Sequence, residues 1–381
     1  MNQILPQHIE LDRAAYFHNI RTFRALCPPP CRLMAVVKAN AYGHGLLPVS
    51  RLAAEAGVDY LGVNGLDEGV AIRQAGIRLP VVILGYTVRD HLGAAVEMDL
   101  EPVLYDLDSL ARLQLEAARR DTSAAFHLKL ETGVHRQGLM SGDMPGFIDA
   151  LKNCGNLRLA GAGMHFANIE DTTDHSFAHS QLETFRAALD HLARGGVVPP
   201  LIHTACTAAA ILFPETHFGL VRVGIGSYGL WPSKETYLAS VLLKQSPPAL
   251  RPVITWKTRI AQLKTVEADH YIGYGCSFRT THRVRMAVLP VGYFDGYDRE
   301  LSNQGRVLVR GRPAPVIGRV CMNMTLIDVT HVPEAAPEDE VVLLGRQGEE
   351  RVTAEELAAI CHTINYEIVS RLGAHIPRFC V

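Results

Sequence analysis

No stretch of this sequence reaches the roughly 20 consecutive apolar residues that a membrane-crossing helix needs. Its first residues, MNQILPQHIELDR, lack a basic segment followed by a long apolar one, so no secretory signal is read there. The formal net charge is only -2, which excludes the electrostatic footprint of a surface built for nucleic acid or for an anionic membrane. No Cys-x-x-Cys pair occurs. The eight cysteines are scattered, only Cys27 and Cys31 are close, and no histidine cluster completes a metal site. They read as separate reduced thiols of a cytoplasmic protein that holds no metal. Solenoid-period repeats and low-complexity tracts are also missing.

What is present is an ordinary soluble composition, 48% hydrophobic and 20% charged over 381 residues, enough for one large domain and a smaller one. Short apolar runs recur at Leu33–Val37, Tyr60–Val63, Val81–Leu84, Pro102–Leu104, Phe126–Leu130, Leu157–Met164, Leu201–His203 and Leu220–Val223. Such runs suit strands buried on both faces. Amphipathic segments lie between them, including Asp12–Leu26 (Phe17, Ile20 and Phe23 at helical spacing), Asp108–Arg119 and Ser180–Arg194. Eight strands alternating with helices predict an α/β architecture, a TIM-type (β/α)8 barrel over residues 1–243. An open doubly wound sheet is the alternative, because periodicity does not report closure.

Beyond a connection at Lys244–Pro248 the pattern changes. Val253–Leu263, Arg285–Val291, Arg306–Val309, Ala314–Val320, Thr325–Val329 and Glu340–Leu344 read as strands without intervening helices. Gly311 and Pro313 mark a corner, and one short helix opens at Thr353 with Glu356 three residues on, a capping box. Residues 244–381 are therefore expected to form a second, mostly-β domain.

The densest chemical signal is Ala35-Val-Val-Lys38-Ala-Asn-Ala-Tyr42-Gly43-His44-Gly45. A lysine ending a barrel strand stands at the rim where such enzymes keep their active sites, and apolar walls free its amine to form a Schiff base. Alone, a strand-end lysine is more often an ordinary solvated cap. Together with Tyr42 and the Gly43/Gly45 turn, the segment closely resembles the cofactor-lysine motif of the alanine racemase family. That resemblance implies that Lys38 binds pyridoxal phosphate and serves as one catalytic base, with Tyr42 touching the phosphate.

Further segments resemble the family in the same order along nearly the whole chain. Lys129-Leu-Glu-Thr-Gly133-Val-His-Arg136 resembles the segment whose lysine is commonly carbamylated and orients the arginine that contacts cofactor and substrate carboxylate. An ammonium between Leu128 and Leu130 is costly unless paired or neutralised, which fits a modified Lys129. The resemblance places His165 against the cofactor ring, Thr207 at the phosphate and Arg222 at the pyridine nitrogen. A guanidinium can only donate there. The nitrogen then stays unprotonated, which restrains carbanion lifetime and side reactions. Backbone N–H groups of Gly224 and Ile225 are expected at the phosphate, as is Tyr366.

In the β domain, Ile272-Gly-Tyr274-Gly275 resembles the segment bearing the second base. Racemisation removes a proton from one face of Cα and returns one to the other, so two bases suit it. A phenol ionises near pH 10 in water, so such a base needs cations nearby. Val291-Gly-Tyr293-Phe-Asp-Gly296 resembles the substrate entrance, and Gly318-Arg-Val-Cys-Met322 the segment whose backbone meets the substrate carboxylate. The resemblance also implies a homodimer with shared active sites, Tyr274, Tyr293 and Met322 coming from the second subunit.

Three residues depart from the family pattern: Cys206 stands at a usual asparagine, Thr207 at a usual serine whose hydroxyl it keeps, and Asn323 at a frequent aspartate. The expected function is interconversion of L- and D-alanine, supplying D-alanine for peptidoglycan. A serine or broader racemase, and a non-catalytic pyridoxal-phosphate-binding protein, are the competing readings. Tyr274 separates the last of these, since a binding module has no use for a base opposite Lys38.

Overall fold

The computed structural model describes residues 5–243 and 246–381, so Lys244 and Gln245 of the expected connection lie outside the described residues. The described chain forms two compact units, one made of Tyr16–Ala41 and Val49–Arg251, the other of residues up to Ala15, Tyr42–Pro48 and Pro252–Val381.

After strand β1 (Gln7–Leu11), the next eight strands build the first unit: β2 (Arg32–Val36), β3 (Tyr60–Val63), β4 (Val81–Ile83), β5 (Glu101–Leu104), β6 (Ala124–Lys129), β7 (Leu157–Gly163), β8 (Ile202–His203) and β9 (Leu220–Val223). All pair in parallel, in the order β8-β7-β6-β5-β4-β3-β2-β9. Gly219 N donates to Ile202 O at 3.1 Å and Arg222 N to Ala205 O at 3.0 Å, which bridges the last gap and closes the barrel. The apolar runs are strands for the expected reason. Every residue of β3, β4, β5 and β9 is buried, with barrel interior on one side and helices on the other.

The helix Arg13–Leu26 begins where Asp12 Oδ1 accepts from Ala15 N at 2.8 Å. Its buried stripe is Tyr16, Ile20 and Phe23, with Phe17 turned partly outward. Helices Leu107–Arg119 and Ser176–Arg194 occupy the other two amphipathic segments.

The second unit carries a larger sheet in which Ile254–Arg259 lies between β1 and Glu340–Gln347, with Arg306–Val309, Arg312–Pro315 and Arg378–Cys380 completing the order. β1 pairs antiparallel with Ile254–Arg259, Ile9 opposite Trp256. A three-stranded sheet (Gln262–Val266, Val284–Leu289, Thr325–Asp328) stands beside it in sequence. The expected single strand Val253–Leu263 is therefore two. Ile260 N donates to Asp339 O and the next residue, Ala261, donates to Val288 O, so adjacent residues serve different sheets. Ile260 is fully buried at that switch. The helix at Thr353 is present as Ala354–Ile360, Thr353 Oγ1 accepting from Glu356 N at 3.1 Å, and a second helix, Asn365–Ser370, follows it. Among the described residues no helix is long and apolar enough to cross a membrane.

Candidate active site

The carboxyl ends of the barrel strands gather the expected residues of the first unit. Lys38 lies two residues past β2, Lys129 ends β6, Arg136 is in the loop after β6, and His165 lies two residues past β7. Thr207 opens the helix Thr207–Leu212 after β8, Arg222 is within β9, and Gly224 and Ile225 follow it. Such a rim is where barrel enzymes do chemistry.

Local backbone strain marks the Lys38 corner. Ala39, Asn40, Ala41 and Tyr42 all have left-handed dihedrals, φ between 52 and 55°. Ala41 N donates to Val37 O at 2.8 Å, giving one left-handed helical turn immediately after the lysine. Each such residue costs about 1 kcal/mol or more, and strain of this kind persists only where surrounding structure imposes it. Glu68 helps impose it by accepting from Asn40 N at 3.3 Å and Asn64 N at 2.8 Å. Tyr228 Oη donates to Val36 O at 2.9 Å, tying the turn after β9 to the strand end that carries Lys38.

The rim is strongly cationic, and burial acts on it. Lys38 is held below the usual lysine range, chiefly by burial and next by Arg136. Lys129 is lowered to about 7 by burial, with Arg222 and Arg136 adding repulsion. Burial, then Arg222, pushes His165 well below the usual imidazole range, so its ring is neutral. Glu131 is pushed up by burial, but the N–H groups of His135, Gly133 and Thr132 outweigh that and hold it below its usual range. Those donors reach Oε1 at 3.0, 2.6 and 2.9 Å and fix the loop that presents Arg136.

Arg222 is buried and donates from Nη1 to His203 Nδ1 at 2.8 Å and His203 O at 2.7 Å. From Nη2 it reaches Met164 O at 2.8 Å, Thr204 O at 3.0 Å and, more weakly, His165 Nδ1 at 3.4 Å. None of these bonds uses Nε–H, which leaves one donor for an incoming acceptor. Thr207 Oγ1 accepts from Gly224 N at 3.1 Å and Gly226 N at 3.4 Å, so the Gly224 N–H is already engaged. Ile225 begins the short turn Ile225–Tyr228, whose first N–H has no carbonyl within the turn.

The second unit gathers a separate group. Tyr274, Tyr293 and Met322 line one open cavity of about 540 Å³ together with Arg299, Arg319 and Asn323. Tyr274 sits between Gly273 and Gly275, both left-handed, in the hairpin joining Tyr271–Ile272 to Phe278–Arg279, and is 73% exposed. Tyr293 N donates to Cys321 O and Phe294 N to Met322 O, each at 3.0 Å. A Cβ on Gly292 would meet Cys321 O at 2.1 Å, so this approach requires glycine. Tyr42 and Tyr366 lie within this unit, ring centroids 6.0 Å apart.

Comparison with known proteins decides the family. Residues 11–232 match the family model "Alanine racemase, N-terminal domain" and residues 253–380 match "Alanine racemase, C-terminal domain". The chain belongs to the alanine racemase family. An alanine racemase of Syntrophobacter fumaroxidans is 44% identical over 96% of this chain and 95% of its own length. One of Leptospira interrogans is 39% identical over 100% and 97%. The crystal structure of the alanine racemase of Streptomyces lavendulae superposes with a TM-score of 0.91 at 34% identity, covering 100% of this chain and 98% of that one. That of Bacillus anthracis, with bound L-Ala-P, gives 0.92 at 32% identity over 100% and 96%.

The family depends on pyridoxal phosphate. The barrel rim fits that cofactor: a half-buried lysine amine held below the usual lysine range, and an Arg222 Nε–H not used in the bonds described above. Of the departures from the family pattern, Cys206 is buried, with Sγ 3.7 Å from Glu170 Oε1, Thr207 accepts from Gly224 N, and Asn323 lines the Tyr274 cavity. Sequence reading assigned no part to Glu68, Glu101, His127 or Gln181. Gln181 holds the His165 loop, accepting from Ala167 N at 2.9 Å and donating to His165 O at 3.3 Å. Its position on the inner face of the helix Ser176–Arg194 was the one signal available, a polar residue in an apolar stripe.

Proposed function

We propose that this chain interconverts L- and D-alanine by a two-base mechanism, with pyridoxal phosphate held by Lys38. The observation that carries the reading is the Lys38 corner: a half-buried amine on a strained turn, kept below the usual lysine range by burial and by the charges of Arg136 and Arg222. Bound there, the cofactor supplies an electron sink that stabilises negative charge at the substrate Cα.

The residues of the chain supply the rest. Arg222 would donate to the pyridine nitrogen and, never giving up its proton in the cycle, would keep that nitrogen unprotonated. The neutral His165 would pack against the ring. Thr207 and the Gly224–Ile225 turn would hold the phosphate, a part the resemblance also gives to Tyr42 and Tyr366. Arg136 receives the substrate carboxylate, oriented by Lys129. The amine of Lys129, uncharged in about half of the molecules near pH 7, adds to CO2 with loss of a proton and becomes an anionic carbamate.

For L-alanine, Tyr274 Oη takes the Cα proton and Lys38 Nζ delivers one to the opposite face; the D isomer reverses these parts. Arg299 and Arg319 share the Tyr274 cavity. Tyr274, Tyr293 and Met322 come from a second copy of the chain, so the unit is a homodimer with shared sites. Support for this is the solvent exposure of all three, 73%, 42% and 55%, an unusual state for residues of a working site. The protein acts in the cytoplasm, where D-alanine enters peptidoglycan synthesis.

The test is loss of optical activity from L-alanine, L-serine and L-lysine, followed with the absorbance of the bound cofactor. Alanine is expected to react fastest, and Lys38→Ala to abolish both signals. Faster turnover of serine would move the reading to the broader racemases. A cofactor band without turnover of any amino acid would favour the binding module.

A further inference from the structure

Among the described residues Arg222 makes no ion pair with a carboxylate, yet a buried cation needs one or a substitute. The substitute runs through two imidazoles. His203 Nε2 lies 2.9 Å from His127 Nδ1, and His127 Nε2 lies 2.8 Å from Glu101 Oε2. The residues come from four strands, Glu101 on β5, His127 on β6, His203 on β8 and Arg222 on β9. Glu101, His127 and His203 are all buried.

Proton positions along this chain follow from one fact, that a guanidinium can only donate. Arg222 Nη1 donates to His203 Nδ1, so the proton of His203 is on Nε2. That proton is donated to His127 Nδ1, which must therefore be bare. The His127 proton is on Nε2 and is donated to the Glu101 carboxylate. Burial, with Arg222 next, pushes His203 well below the usual imidazole range, which agrees with a neutral ring. Every bond points the same way, from the cation to the anion.

The backbone makes room for the arrangement. His127 and His203 flank β7, and a side chain on the intervening strand would separate them. Gly161 and Gly163 stand there instead. A Cβ on Gly161 would lie 2.7 Å from His127 Nδ1, and one on Gly163 would lie 2.3 Å from His203 Nδ1. Alternate glycines on one face of a strand mark a close approach, here of two imidazoles.

We propose that Glu101 is a positioning residue that acts through His127 and His203 to hold Arg222 in orientation and charge. The two neutral rings transmit the carboxylate's preference for one tautomer, and that tautomer turns an acceptor toward Arg222. The inference rests on Arg222 serving the cofactor ring.

The test begins with 15N-histidine-labelled protein freed of cofactor. Long-range 1H–15N spectra are expected to show both His127 and His203 as the Nε2–H tautomer. Glu101→Gln keeps an acceptor for His127 but removes the charge. It is expected to lower kcat for alanine roughly 3- to 30-fold with KM changed less than about twofold, and to allow the Nδ1–H tautomer of His127 or His203. Glu101→Asp, which keeps the charge, is expected to recover part of the rate. Either imidazole found protonated or as Nδ1–H in the wild type would overturn the proposal, whatever the variants do. So would Glu101→Gln at wild-type kcat, or a rate loss that only tracks lost cofactor content. A wild type that racemises no amino acid refutes the cofactor role of Arg222 instead, and the tautomer spectrum still reports on the chain of bonds.

Discussion

Arg378 donates to the carbonyl oxygen of Gly43 from both Nε, at 3.1 Å, and Nη2, at 2.8 Å. The same guanidinium reaches Leu372 O at 3.2 Å and Gly373 O at 2.9 Å, so one side chain near the C-terminus gathers carbonyls from two segments. Gly43, at φ +80°, lies so close to the helix Asn365–Ser370 that an added Cβ would sit 1.8 Å from Val369 O. Gly43→Ala therefore combines a left-handed φ with a backbone clash, and about 3 kcal/mol of stability or more is expected to be lost. Arg378→Ala strands several partly buried carbonyls and is expected to cost about 2 kcal/mol. Urea unfolding monitored by circular dichroism checks both; a Gly43→Ala protein as stable as the wild type would refute the clash.

Lys129 sets a pH dependence. Its amine is lowered from the usual lysine value to about 7 by burial and by Arg222 and Arg136. In the unmodified protein the unfolded chain holds this proton up to a higher pH than the folded chain does. The burial cost is therefore full below about pH 7 and is relieved as pH rises from there toward the ordinary lysine range. Stability in carbonate-free buffer should accordingly climb between pH 6 and 9, and Lys129→Met should flatten that climb. Above pH 7 the free amine should also take up 13C-labelled CO2, giving a carbamate resonance that is weak at pH 6 and missing in Lys129→Met. A slope unchanged by the substitution would mean that other groups set it.

The Lys38 motif was legible because its neighbours in space are its neighbours in sequence: strand, lysine, tyrosine and glycine turn follow one another within eleven residues. The barrel was legible for a similar reason, as eight short apolar runs buried on both faces. Partners far apart in the chain were not legible. β1 pairs with Ile254–Arg259 across more than 240 residues, and nothing in QHIEL names that partner. His127 and His203 are single histidines on separate strands, and only the barrel's closure brings them within 2.9 Å. The switch at Ile260 was hidden because both halves of Val253–Leu263 carry strand-like residues, and the change of sheet depends on where Asp339 and Val288 stand.

Cys206 is a departure from the family pattern on the barrel side. Its thiol is pushed up to about 12, chiefly by burial and next by Glu170, so at pH 8 it stays the neutral thiol. Alkylation with iodoacetamide at that pH should label the exposed Cys276 and Cys380 long before Cys206, as read by peptide mass spectrometry. The neutral thiol is a poor hydrogen-bonding group, and its contact with Glu170 Oε1 is 3.7 Å long. Cys206→Ala is thus expected to change cofactor affinity by no more than about threefold, less than a single ordinary hydrogen bond. A tenfold loss would show that the sulfur contributes to the site.

The two-base reading makes an isomer-specific prediction. If Tyr274 removes the proton of the L isomer and Lys38 that of the D isomer, the two faces fail separately when one base is lost. Tyr274→Phe should lower racemisation in both directions by about 10²- to 10⁴-fold, because each direction needs both bases. In D2O, however, the variant should still wash deuterium into the Cα of D-alanine, where Lys38 acts alone, and not into that of L-alanine. Proton NMR of the two isomers in separate incubations reads this directly. Exchange lost equally from both isomers would point to a collapsed site, and exchange retained equally in both would point to a single base that serves the two faces. Because Tyr274 is 73% exposed in one chain, the substitution should leave the unfolding midpoint unchanged, which separates the chemical loss from a folding defect.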